Sequence, residues 1–237
     1  MKKIFMPVLL LMLAVSSFAQ KTINDPNVQK REVTGFHGVA ISGSIELFLS
    51  QGEESVAVSA NDTKWRDQIV TEVKDGILHI HLENDNKFHL DMGTKKLRAY
   101  VSVKNIDHLS SSGSGKIHIE EKLKANKLGI EISGSGNIEG PLAVKNLSVS
   151  LCGSANTDFT GTADTSEFHI SGSGNIRNYD FSTSYCTASI SGSGNVKITV
   201  TKELSAHISG SGNLLIKGNG MIKDYTASGS GKFKRVE

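Results

Sequence analysis

After residue 35 the chain alternates apolar and polar positions with a two-residue period, the mark of strands that bury one face. The alternation is clearest around a recurring phrase. It reads "ISGSGNI" at Ile132–Ile138 and Ile170–Ile176, "ISGSGNV" at Ile190–Val196 and "ISGSGNL" at Ile208–Leu214. Aligned on its first serine, the phrase falls at Ser112, Ser133, Cys152, Ser171, Ser191, Ser209 and Ser228, at spacings of 21, 19, 19, 20, 18 and 19 residues. One residue earlier stand Ser111, Ile132, Leu151, Ile170, Ile190, Ile208 and Ala227; three earlier stand Leu109, Ile130, Val149, Phe168, Ala188, Ala206 and Tyr225. Polar residues, His169 and His207 among them, lie between these columns. Five residues after the serine the apolar pattern resumes at Ile117, Ile138, Thr157, Ile176, Val196, Leu214 and Phe233.

A period near 20 residues implies stacked units, each burying its apolar face against its neighbours. No unit carries a 3.6-residue apolar period, which excludes helical repeats, and a propeller blade needs about twice this length. The expected fold is all-β: a parallel β-solenoid of about seven rungs, roughly 34 Å long at ~4.8 Å per rung. The glycine-serine phrase is its corner. Gly134, Gly153, Gly172, Gly192 and Gly210 supply backbone angles closed to other residues. Asn137, Asn156, Asn175, Asn195 and Asn213 fall in one column and are expected to form a stacked amide ladder.

Residues 106–237 make up this repeat. Residues 35–105 read as a non-repetitive β region that starts or caps the coil. There "DG" at Asp75-Gly76 marks a hairpin, and Asn61–Gln68 suits one helical turn around Trp65. "SGSIEL" at Ser42–Leu47 reads as a shortened corner lacking the Gly-Asn pair. At the other end "KFKRVE" places charges on the final edge, a guard against edge-to-edge association.

Residues 1–19 read as a secretory signal peptide: Lys2 and Lys3, an apolar run from Ile4 to Val15, then Ser17-Phe18-Ala19 before the cut. That run is shorter than the ~20 residues of a membrane-spanning helix. Residues 20–34 form an N-terminal extension, no transmembrane segment is expected after signal removal, and the address is periplasmic or extracellular. With 26 basic and 24 acidic residues the chain is nearly neutral. No basic block points to nucleic acid or to an anionic membrane. Cys152 and Cys186 are too few for a disulfide framework and fall at different points around the coil. Two free thiols are expected, Cys186 in a buried column with Leu128, Leu147 and Leu204.

The corner phrases, together with "GFHGVAISGSIELFLSQG" at Gly35–Gly52, resemble the family of the "putative auto-transporter adhesin, head GIN domain", over roughly Phe36 to Phe233. The resemblance implies a β-helix-like fold and an adhesive or surface role. It brings no agreed catalytic residues to transfer.

Candidate chemistry is weak on the residues themselves. Calcium β-rolls repeat every nine residues with Asp, whereas the period here is near 20 with neutral Asn. Gly115-Lys116 and Gly231-Lys232 are followed by Ile117 and Phe233 rather than the Ser or Thr of a phosphate loop. His79 and His81 share one side of a strand, with His89 and Asp91 nearby, and could begin a zinc site, but an exposed polar face is commoner. His169 and His207, two rungs apart, cannot easily share an ion. No G-x-S-x-G occurs. The outward column His118, Glu139, Asp158, Arg177, Lys197, Leu215, Lys234 reads as a solvated face of mixed charge. No catalytic residue, metal or cofactor is therefore expected. The favoured function is a noncatalytic adhesin or surface-binding role, with glycans or envelope proteins as partners. The alternatives are a periplasmic scaffold or regulatory partner and, behind them, a polysaccharide-active enzyme.

Overall fold

A computed structural model describes residues 25–83 and 95–236. The head contains β1 (Gln29–Arg31), β2 (Gly38–Gly43), β3 (Glu46–Gln51), β4 (Ser55–Ala60), α1 (Thr63–Asp67), β5 (Ile69–Lys74), β6 (Ile77–Leu82) and β7 (Leu97–Val103). The coil proper follows with β8 (His108–Gly113), β9 (Lys116–Ile119), β10 (Leu123–Gly134), β11 (Asn137–Gly153), β12 (Asn156–Gly172), β13 (Asn175–Gly192) and β14 (Asn195–Gly210). It ends with β15 (Asn213–Lys217), β16 (Met221–Gly229) and β17 (Lys232–Arg235). The fold is a parallel stacked β-solenoid of about seven turns with a mixed N-terminal sheet region. The signal peptide and the pair His89 and Asp91 lie outside the described residues.

The inward–outward alternation is interrupted where the chain bends: in β11 two successive residues are exposed at Lys145-Asn146 and at Cys152-Gly153, while Gly140 keeps an inward position, registered with buried Phe159. Between the breaks Ile138, Leu142, Val144, Leu147, Val149 and Leu151 point inward and are buried. Neighbouring turns pair in register, Leu147 beside Ser166 and Leu151 beside Ile170. Buried aromatics sit beside small residues: Phe168 is registered between Val149 and Ala188. A fully buried side chain of this size contributes roughly 1.5–3 kcal/mol, so these columns hold the turns together.

At the corners glycine is a steric requirement. Gly172 has φ 120°, and a Cβ there would lie 2.5 Å from the carbonyl oxygen of Gly153, one turn below. The corner column runs through Gly113, Gly134, Gly153, Gly172, Gly192, Gly210 and Gly229. It also reaches Gly43, because Ser42 and Gly43 pair with Ser112 and Gly113. This corner is not shortened as the sequence suggested. Glu46 pairs with Lys116, so three steps separate Gly43 from Glu46 as they separate Gly113 from Lys116, and buried Ile45 takes the place of the second glycine.

The head departs from simple winding. β2 lies between parallel β6 and β8, and β3 between parallel β7 and β9, so the chain goes below its first turn before stacking above it. Antiparallel strands then close this end. β5 folds onto β6 through Asp75 and Gly76, both with positive φ, while β4 covers β7 and β1 covers β4. Asp25 ties the layer down: its carboxylate accepts from Ser59 Oγ at 2.7 Å and from the Asn27 amide at 3.1 Å. The Ser59 hydroxyl is the main reason that its carboxyl sits below the ordinary 3.8. Among the described residues no helix is long and apolar enough to cross a membrane.

Candidate functional site

Stacking in register converts any outward residue repeated every ~20 positions into a line parallel to the coil axis. The amide line is continuous. Asn156 Nδ2 donates to Asn137 Oδ1 at 3.0 Å, Asn175 to Asn156 at 3.0 Å, Asn195 to Asn175 at 2.8 Å and Asn213 to Asn195 at 2.8 Å. Each amide above Asn137 thereby spends a donor on the turn below, which ties the corners together beyond the backbone bonds.

Two shallow, open grooves lie along the coil. The first follows an edge lined by Lys127, Asn146, Thr165, Tyr185 and Glu203, with Ser148, Glu167 and Thr187 beside them. Tyr185 is 45% exposed, and the Lys202 ammonium lies 5.4 Å from its ring centre. Behind this edge Cys186 is buried between Ser166 and Leu204, and burial pushes its thiol up to about 12. A thiol so far above neutrality holds its proton and is inert as a nucleophile. Cys152 is exposed, and neither cysteine is bridged.

The second groove is lined by His118, Glu139, Asp158 and Arg177, with Asn137 and Asn156 alongside. His118 Nδ1 lies 2.8 Å from Glu139 and Nε2 lies 3.1 Å from Glu46, so both ring nitrogens face carboxylates. Phe48 stacks between Tyr100, at 5.2 Å, and His118, at 5.1 Å. The sequence reading missed this stack because its members are 48, 100 and 118 along the chain and join through the non-sequential layering of the head. Ring faces pack on one another here, so Phe48 turns its edge rather than a platform to the outside. Glu139, the carboxylate nearest the stack, is 60% exposed and engaged by His118.

The remaining sequence candidates are dispersed. His79 and His169 fall in one outward column, but Ala40, Ser110, Glu131 and Ser150 stand between them. Ser189 separates His169 from His207, and His207 bonds Thr226 at 2.6 Å. No group of three His, Cys, Asp or Glu residues among the described ones is gathered to hold a metal. The interior also holds polar residues that the apolar columns hid. Asn178 is fully buried, and its side-chain oxygen accepts the Phe159 amide at 2.7 Å, beside the register shift that follows Thr157. The hydroxyls of Ser111 and Thr157 have no partner among the described residues.

Coil, corner glycines and lengthwise polar lines define a β-solenoid with an elongated, repetitive surface and two open grooves. The profile of the family described as "Putative auto-transporter adhesin, head GIN domain" matches residues 35–220, and the chain belongs to that family. Similar solved structures include a "putative adhesin" from Bacteroides fragilis, with 23% identity and a TM-score of 0.80, covering 88% of this chain and 96% of its own. A "putative lipid binding protein" from Parabacteroides distasonis has 26% identity and a TM-score of 0.70, with coverage of 90% and 98%. A "putative adhesin" from the same species has 20% identity and a TM-score of 0.69, with coverage of 89% and 96%. No curated protein matches the chain.

Proposed function

We propose that this protein is a noncatalytic, exported binding rod of the adhesin type, whose long sides hold extended polymers such as glycans through many weak contacts. The carrying observation is the first groove. It presents Lys127, Asn146, Thr165, Tyr185 and Glu203 as one line, a donor, acceptor or ring face at every rung of ~4.8 Å. Such a line suits a chain of sugar units better than a single small molecule, because no enclosed pocket surrounds it. Weak contacts in series gain through effective concentration. Membership of an adhesin-named family agrees with this reading and with an exported or surface address.

The test is a glycan array probed with the purified protein and with Tyr185→Ala. Removing a stacking ring is expected to weaken binding roughly three- to tenfold. Absence of binding to every polymer would contradict the proposal. So would release of cleaved oligosaccharide that disappears in Glu139→Gln or Asp158→Asn, since that would restore the enzyme reading.

A further inference from the structure

The last turn of the coil is built unlike any other. All nine residues of β16 are exposed, although Ile222, Tyr225 and Ala227 continue the inward columns of Leu204, Ala206 and Ile208. No further described strand stacks on them. Of the four large exposed apolar side chains among the described residues, three belong to this turn: Met221 at 64%, Ile222 at 41% and Tyr225 at 38%. Phe233 packs 5.4 Å from Tyr225 and is half-buried.

Charge changes sign at the same place. Residues 156–194 carry four carboxylates and one Arg, whereas residues 195–236 carry seven Lys or Arg and two carboxylates. Lys223 pairs with Glu203 at 2.9 Å, and the Arg235 guanidinium donates to the carbonyl oxygens of Gly218 and Gly220. Lys202, Lys217, Lys232 and Lys234 make no ion pair with a described residue. Lys202 and Lys217 lie over the Tyr185 and Tyr179 rings, so the tip presents Met, Ile and Tyr side chains rimmed by ammonium groups that have no carboxylate partner among the described residues.

We infer that this tip docks on an anionic lipid bilayer surface, with Met221, Ile222 and Tyr225 entering the headgroup layer and Lys217, Lys232 and Lys234 meeting its phosphates. An apolar centre inside a cationic rim is the pattern by which peripheral proteins hold such surfaces, and Tyr is at home at headgroup depth. Charge complementarity selects this occupant over a second copy of the chain. The opposite end is closed by antiparallel strands, and acidic and basic side chains are interspersed there: Lys30, Arg66 and Lys74 beside Glu32, Asp67 and Glu72. The tip begins where the lateral groove ends, Met221 pairing beside Glu203, but the two assignments use different side chains, so neither rests on the other.

The experiment is co-sedimentation of the purified protein with vesicles of phosphatidylcholine alone and of phosphatidylcholine mixed with phosphatidylglycerol. Binding is expected only to the mixed vesicles and is expected to fall with salt. Lys232→Gln with Lys234→Gln should lower it about 25-fold, a factor of about five for each lysine at an anionic surface. Lys122→Gln with Lys145→Gln removes the same charge far from the tip, at two exposed residues that line neither groove, and should leave binding unchanged. Met221→Ser with Ile222→Ser should abolish the part that survives high salt. Equal loss in both lysine pairs, or equal binding to neutral vesicles, would overturn the inference. So would self-association in sedimentation velocity that Met221→Ser with Ile222→Ser abolishes, without vesicle binding. Loss of vesicle binding with glycan binding intact would leave the lateral reading standing, and the reverse would leave the tip standing.

Discussion

The two ends of the coil solve the same problem in opposite ways. Every stacked β fold exposes an apolar cross-section and unpaired strand edges at each end, and terminal units usually cover them. At the head, β4, β5 and β1 run antiparallel to their neighbours, and Leu78 and Ile80 are fully buried beneath the closure. At the tail the inward columns stop at exposed Ile222 and Tyr225, with Phe233 against Tyr225 but no described closing strand beyond them, and lysines stand where the head has closing strands. The difference teaches that the parallel repeat alone does not terminate itself. Termination takes a change of strand direction, as at the head, or a partner of complementary charge, as inferred at the tail.

The sharpest way to break this comparison is to delete matched side chains at the two ends. Leu78→Ala at the head and Leu204→Ala within the coil should each cost about 3 kcal/mol, whereas Ile222→Ala, in the column of Leu204, should cost under ~1 kcal/mol. Urea midpoints check this, and equal losses at Leu78 and Ile222 would show the tail to be as well covered as the head. In the coil interior, Ile170→Ala should cost ~2–5 kcal/mol by the same measure. Gly172→Ala, also mid-coil, should cost roughly 3 kcal/mol, since it adds a left-handed strain to a clash with the Gly153 carbonyl.

A smaller effect of opposite sign is expected at Thr157. Its buried hydroxyl has no partner among the described residues, and its neighbours in the column are Ile138 and Ile176. Thr157→Val should therefore raise stability by about 1 kcal/mol in thermal unfolding. The smallest effect concerns the clasp of the head. The folded Asp25 carboxyl titrates below its ordinary 3.8, so its contribution is present above that value and fades as the pH falls below it. Asp25→Asn should cost up to about 1 kcal/mol near neutral pH, and the gap from wild type should close in acid. A gap independent of pH would mean that the carboxylate charge is not what holds the clasp.

The sequence disclosed the coil because its partners are one period apart. Leu151, Ile170, Ile190 and Ile208 are adjacent in space and separated by 18–20 residues, so a column read from the sequence is a column in the fold. The hairpin at Asp75-Gly76 and the turn of helix at Trp65 were legible for local reasons, a turn dipeptide and a capping Asp62. Where partners leave the period, the reading lost them. Ile41 sits between Ile80 and Ser111, and no spacing rule points to either. The inward Asn178 serves a backbone amide freed by a register shift, which no periodic pattern encodes. At the tail the sequence showed the charged "KFKRVE" edge and read it as a guard against association; what it did not show is that stacking brings Lys197 and Lys217 onto the turns next to Lys232 and Lys234.

If the rod meets surfaces outside the cell, as proposed, it must be reachable from outside. Antibody raised against residues 95–237 should label intact cells. Labelling that appears only after permeabilisation would contradict the adhesin reading.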